Sequence, residues 1–268
     1  MISFEKYHGT GNDFIFTQMV PYPSQLAILL CDRHFGIGAD GLMIASPSTI
    51  ARIKMDYWNS DGSVAPMCGN GMRCFVKYVL KNNIVQEHVF DVETKAGIIH
   101  VEYHQHSDLV SVTMTDPIMV LQTPDVKHPG MFQHIEIELQ SKKKAVSALF
   151  LGTLHAVVFV ESGKTLEYVE FAEALGKHPA FPKQINVNIV EVQSNNSILV
   201  TTYERGAGWT KSCGTGACAS AFQAFKDGLV SPSVNVLVPG GTLHVGVHES
   251  IVLTGEATWI ASGVTNDV

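Results

Sequence analysis

Two short runs carry residue types and spacing that can do chemistry: Met67-Cys68-Gly69-Asn70-Gly71-Met72-Arg73-Cys74 and Ser212-Cys213-Gly214-Thr215-Gly216-Ala217-Cys218. Each reads Cys-Gly-x-Gly and leads into an apolar helical stretch. Glycines at a helix start let backbone N–H groups approach a ligand, and the helix N-terminus favours an anion such as a carboxylate. The same field favours the thiolate of a cysteine placed there. Two such thiols could serve opposite faces of one carbon acid, one taking the Cα proton while the other delivers one. Backbone amides would hold the adjacent carboxylate through its enolate-like form. That is the requirement for inverting an α-amino-acid centre without a cofactor, and nothing in the sequence suggests pyridoxal phosphate. The bland alternative is a pair of tight turns with structural cysteines, or a carboxylate-binding module with inert thiols. A metal fits poorly: Cys68/Cys74 and Cys213/Cys218 lack C-x-x-C spacing, and helical geometry splays each pair. Cys74 and Cys218 read instead as small apolar residues on inner helix faces.

The elements that must position these runs form an α+β mixture with strands outnumbering helices. Alternating apolar and polar residues predict strands at 98–103, 110–114, 156–161, 198–203, 235–238, 243–247 and 251–254. Helical spacing appears at Ser24–Cys31, Gly71–Lys81 and Gly216–Lys226, with a more exposed helix over Thr165–Leu175. The echo of the two glycine runs, about 145 residues apart, is too long for a solenoid and reads as two related halves. The expected division is an N-terminal lobe over 1–117, completed by a C-terminal strand near 258–268, and a second lobe over 118–257.

The 268 residues include 18 Lys+Arg, 25 Asp+Glu, 12 His and five Cys, and are 46% hydrophobic. Such a chain buries a substantial core. Its net charge of −7 is spread evenly, with 9 basic and 13 acidic residues over 1–130 and 9 and 12 over the remainder. No basic block serves a phosphate backbone or an anionic membrane, which argues against nucleic acid and membrane as partners. An odd count of cysteines behind a mixed, charged N-terminus leads to the expectation of a cytoplasmic protein.

At these residues the sequence resembles the diaminopimelate epimerase family. The resemblance rests on His8-Gly9-Thr10-Gly11-Asn12-Asp13-Phe14, Arg33–Gly41, Asn59-Ser60-Asp61-Gly62-Ser63, both Cys-Gly-x-Gly runs, and Tyr203-Glu204-Arg205-Gly206-Ala207-Gly208, in the family's order from residue 2 to about 260. It implies two pseudo-symmetric lobes, each a curved, mostly antiparallel sheet around a central helix, with the active site in the cleft between them and often a homodimer. It also implies an isomerase of a small amino acid, using no cofactor and no metal. Cys68 and Cys213 would be the catalytic acid/base pair, with His155 and Glu204 as the partners that tune them. Gly69, Asn70, Gly214 and Thr215 would offer amides to the α-carboxylate, and Asn12 would meet the α-amino group. Asn59, Asn186 and Arg205 match residues that hold the distal end of diaminopimelate.

The sequence departs from the family pattern at the distal end. Gly152-Thr153-Leu154-His155 stands where Gly-Asn-Pro-His is usual, so Thr153 replaces an asparagine that helps hold the distal carboxylate. One such hydrogen bond is worth about 1.5–3 kcal/mol. Trp58 and Trp209 replace other residue types, and Gly41 stands where some members carry glutamine. The main expectation is LL-/meso-diaminopimelate interconversion for lysine and peptidoglycan synthesis. The alternative is a racemase of another amino acid, such as histidine, on the same scaffold.

Overall fold

The computed structural model describes residues 1–18, 20–127 and 129–265, so the last three residues of the strand expected near 258–268 lie outside the described residues. The chain forms two compact units, one of Met1–Thr113 with Thr254–Val268 and the other of Met114–Leu253.

In the first unit, β1 (Ile2–Gly9) and β2 (Asn12–Thr17) precede α1 (Pro23–Cys31), β3 (Gly41–Ser46) and β4 (Ile53–Asn59). After them come α2 (Gly69–Lys81), β5 (Val89–Thr94), β6 (Gly97–His104) and β7 (Leu109–Thr113). The second unit opens with the short pair β8 (Val120–Leu121) and β9 (Gly130–Met131), then β10 (Ile135–Leu139), β11 (Lys142–Leu151) and β12 (Thr153–Val160). A 3-10 turn (Thr165–Tyr168) runs into α3 (Val169–Gly176), so the fourth expected helix is split. It is followed by β13 (Asn186–Ser194), β14 (Ser197–Glu204), β15 (Gly208–Thr210), α4 (Gly214–Lys226), β16 (Ser233–Val238) and β17 (Gly241–Val247). Through β18 (Ile251–Gly255) the chain returns to the first unit, where β19 (Thr258–Thr265) pairs antiparallel with β1.

The two units share one pairing scheme. In the first, β1–β2 is antiparallel, β2–β3 parallel, β3–β4 antiparallel, β4–β5 parallel and β5–β6 antiparallel. In the second, β11–β12, β12–β13, β13–β14, β14–β16 and β16–β17 repeat that order of senses. A helix enters at the same point of each series, α2 before β5 and α4 before β16. Alternation explains the strands: in β16, Val234, Val236 and Val238 are buried while Ser233, Asn235 and Leu237 face out. The helices are the opposite case. α2 packs against β1, β2, β3, β6 and β7, and α4 against β11 to β14, β16 and β17. Each is therefore wrapped by its own sheet, which accounts for the burial of Met72, Cys74, Phe75, Val76 and Val79 in α2 and of the alanine face of α4.

Both central helices start two residues earlier than the apolar periodicity indicated, directly after Cys68 and Cys213. The second glycine of each run is required by close approach rather than by backbone freedom. A Cβ on Gly71 would lie 2.0 Å from Met43 Cε and 3.3 Å from Phe14, and one on Gly216 would lie 2.4 Å from Asn188 Oδ1. Gly71→Ala is expected to destabilise the protein by about 1–3 kcal/mol through overpacking. Urea unfolding would measure this, and Met43→Ala in the same chain should recover part of the loss.

Candidate active site

In the first unit Cys68 is the N-cap of α2, and its Sγ accepts the Gly71 N–H at 3.4 Å. On its other side the thiol donates to Asn12 Oδ1 at 3.7 Å, and Asn70 Nδ2 donates to the same oxygen at 3.4 Å. The Asn12 amide is itself held, because its Nδ2 donates to the Asp40 carboxylate. Asp40 also accepts the Asp13 N–H at 3.0 Å and an Arg33 N–H at 2.7 Å. Arg33 forks onto Asp13 at 2.7 and 3.2 Å, and Lys6 reaches Asp13 at 2.9 Å. Burial pushes the Asp13 carboxyl up, but Arg33 and Lys6 outweigh it and hold Asp13 below its usual 3.8. Under the helix start lies Arg73, fully buried, donating to Gly69 O and Thr10 Oγ1 at 3.3 Å and to Glu256 O at 3.2 Å. Asn59 ends β4 opposite Gly41, with its Nδ2 donating to Ser63 Oγ at 3.0 Å. No side chain fits at Gly41, where a Cβ would lie 2.5 Å from the Tyr57 ring and 2.7 Å from Trp58 O.

In the second unit Cys213 is the residue before α4 and is 6% exposed. Its sulfur lies 3.5 Å from Thr215 Oγ1, which lies 3.0 Å from His155 Nε2. Burial pushes the Cys213 thiol well above its usual 9.0 and the Glu204 carboxylate adds to this, while Thr215 and the Gly216 N–H pull the other way. The helix-start field expected to favour its thiolate is therefore overridden, because desolvation and a like charge together exceed two hydrogen bonds. Glu204, the last residue of β14, also accepts the Thr210 hydroxyl at 2.6 Å. Burial, with Arg205 nearby, pushes His155 down from 6.5 to about 3, so the ring is neutral. Acid works against this arrangement from about pH 6.5 downward, since the unfolded chain takes up the proton that the buried ring refuses. Asn186 pairs beside His155 in the parallel β12–β13 ladder, and its Oδ1 accepts the Arg205 N–H at 2.8 Å. Arg205 donates from its guanidinium to Lys183 O at 3.0 Å. Thr153 begins β12, directly after Gly152, whose Cβ position faces Thr215 at 3.5 Å.

The structure thus gathers Asn12, Cys68, Gly69 and Asn70 in one cluster, and His155, Glu204, Cys213, Gly214 and Thr215 in another. Sequence reasoning did not assign roles to Asp13, Arg33 and Asp40, although all three lie within quoted motifs. It also passed over Asn188 and Thr202, which hydrogen-bond behind His155. The signal for Asn188 was a polar residue inside the apolar run Val187-Asn188-Ile189-Val190. The two added tryptophans are engaged within their own units. Trp58 packs on the cluster of Ile15, Leu26, Leu30 and Leu42, while Trp209 stacks edge-on to Tyr203 and donates to Glu173 at 2.8 Å.

A family model described as diaminopimelate epimerase matches residues 4–120 and 147–260. The chain belongs to the diaminopimelate epimerase family. It is 38% identical over 275 residues to a diaminopimelate epimerase of Halothermothrix orenii, covering 98% of this chain and 97% of that one. To the Caldanaerobacter subterraneus diaminopimelate epimerase it is 41% identical over 268 residues, covering 97% and 98%. Among solved structures it shares the fold of a probable proline racemase from Agrobacterium radiobacter, with a TM-score of 0.71 at 15% identity over 99% of this chain and 93% of that one. A hydroxyproline epimerase from Agrobacterium vitis gives 0.70 at 16%, over 98% and 91%. The stretch between the two matched segments of this family member, 121–146, holds β9, β10 and the start of β11, away from both thiols in sequence. No helix among the described residues is long and apolar enough to cross a membrane.

The Asp13 network yields a pH test. A carboxyl held below its ordinary value adds stability above that value and loses it as the folded form is protonated on acidification. Asp13→Asn is expected to cost about 2 kcal/mol at pH 7, between the values for exposed and buried pairs because Arg33 is half exposed. In unfolding measurements that difference should shrink as the pH falls below about 3.8.

Proposed function

We propose that this protein interconverts LL- and meso-diaminopimelate without a cofactor, using Cys68 and Cys213 as its acid/base pair, in the supply of lysine and peptidoglycan precursors. The observation that carries this reading is the repeated one: two units of identical strand pairing each start a buried helix immediately after a cysteine. The names of the relatives at 38% and 41% identity support the substrate.

Each thiol would serve one face of Cα. Cys213, buried beside Glu204, holds its proton in the resting protein and suits the acid role. Cys68, half-buried and accepting a backbone N–H, suits the base role for the same direction. For the reverse reaction the states exchange. The first-turn amides at Gly69 and Asn70, and at Gly214 and Thr215, would hold the α-carboxylate as negative charge develops on it. Asn12 would receive the α-amino group, and Asn59, Asn186, Arg205 and Thr153 the distal end. A homodimer is the assembly we expect. The racemase alternative rested on Thr153 at the distal end, and the names of the relatives favour diaminopimelate instead.

Turnover in D2O tests the reading. Solvent deuterium should enter Cα of diaminopimelate and of no other amino acid in a panel that includes L-histidine. Cys68→Ala and Cys213→Ala should each lower kcat by about 10²–10⁴-fold, the range for losing a general acid or base. Exchange into histidine with none into diaminopimelate would overturn the assignment.

A further inference from the structure

The repeated architecture makes each unit a control for the other. Phe14 pairs with Gly41 as His155 pairs with Asn186, so Phe14 and His155 occupy equivalent places. Two residues further along the next strand, Met43 pairs with Tyr57 as Asn188 pairs with Thr202. The floor beneath the start of α2 is therefore Phe14, Met43 and Tyr57, and the floor beneath α4 is His155, Asn188 and Thr202. All six are buried. In the first unit the trio is two aromatic rings and a thioether, with Phe14 and Tyr57 edge-on at 5.9 Å. Packing alone is satisfied that way. The second unit fills the same space with polar groups, which cost free energy unless hydrogen-bonded.

They are hydrogen-bonded in a directed order. Ala156 O can only accept, so the group 3.0 Å from it must be the Asn188 Nδ2, which fixes the amide's orientation. Thr202 then donates to Asn188 Oδ1 at 3.0 Å. The second Nδ2 hydrogen points at His155 Nδ1, 3.2 Å away, making that nitrogen an acceptor. A neutral ring that accepts at Nδ1 carries its proton on Nε2, and Nε2–H donates to Thr215 Oγ1 at 3.0 Å. The Thr215 hydroxyl, approached by a donor, keeps its own hydrogen for the Cys213 sulfur at 3.5 Å. In the first unit the equivalent of Thr215 is Asn70, which turns its amide toward Asn12 instead.

We propose that Asn188, supported by Thr202, is a positioning residue that locks His155 in the Nε2–H tautomer and thereby keeps the Thr215 hydroxyl aimed as a donor at the Cys213 thiolate. This rests on Cys213 being one of the two catalytic thiols. No proton moves along the chain: Cys213 exchanges its proton with substrate Cα, and the relay supplies a hydrogen bond to the sulfur once it is charged. Cys213 needs that donor more than Cys68, because its thiolate would be buried next to the Glu204 carboxylate.

Asn188→Asp tests the relay, since a carboxylate of the same shape accepts where the amide donated. Histidine 15N spectra, with the His155 signal identified by its loss in His155→Gln, should show an unprotonated Nδ1 in the parent protein and a protonated Nδ1 in Asn188→Asp. Iodoacetamide labelling followed by peptide mapping should show Cys213 slowed about tenfold in the variant and Cys68 in the same sample unchanged. Turnover should lose kcat with KM within about twofold. If Asn188→Asp does not fold, Thr215→Val should give the same selective slowing and Thr215→Ser should restore the parent rate. A protonated Nδ1 in the parent, or equal slowing of both cysteines, overturns the proposal. The spectra and labelling need no substrate, so they stand apart from the activity assignment, which Cys213→Ala with undiminished turnover would overturn separately.

Discussion

The contact on which the site depends is the pressing of each central helix start onto the second and third strands of its own sheet. Gly71 and Gly216 leave no room for a methyl group, with Met43 at 2.0 Å and Asn188 at 2.4 Å from the Cβ position. Because the helix begins at that contact, the cysteine three positions before each of these glycines is held at the N-cap, beside the first amides of the helix. Moving the helix outward by the width of a methyl group would displace the thiol together with the amides that accompany it.

The two thiols share this frame but not an environment. Cys68 lies against an asparagine anchored by an ion network, with Asp13 and Asp40 neutralised by Arg33 and Lys6. Cys213 lies against a carboxylate and, through Thr215, a buried neutral imidazole. A two-sided proton exchange profits from such inequality. One thiol must hold a proton while the other lacks it, and burial beside Glu204 suits Cys213 to the holding part. Later substitutions in either half can then tune one thiol without moving the other.

Much of this was legible in the chain. The duplication appears in the two Cys-Gly-x-Gly runs, the strands in their alternation, and the family in motifs spread over nearly the full length. These features are local: a helix start, an alternating strand and a glycine loop are written in neighbouring residues, so periodicity and spacing reveal them. The helix starts were displaced by two residues because Gly69-Asn70 and Gly214-Thr215, a glycine and a polar residue each, carry no apolar signal.

What the chain did not disclose depends on residues far apart in sequence. The helix-start field argued for a thiolate at Cys213, yet burial and Glu204 reverse that balance, and neither is visible in the motif itself. Gly41 read as a family option, whereas Tyr57 and the Trp58 carbonyl leave it no alternative. Trp58 and Trp209 read only as departures from the family's residue types, and the fold packs both within their units. The sequence by itself determined two related halves, their elements and the two thiols at helix starts, because those follow from short-range pattern. Only the tertiary structure decided which groups stand behind each thiol and that Cys213 keeps its proton, because desolvation and charge are set by what the fold packs around a group.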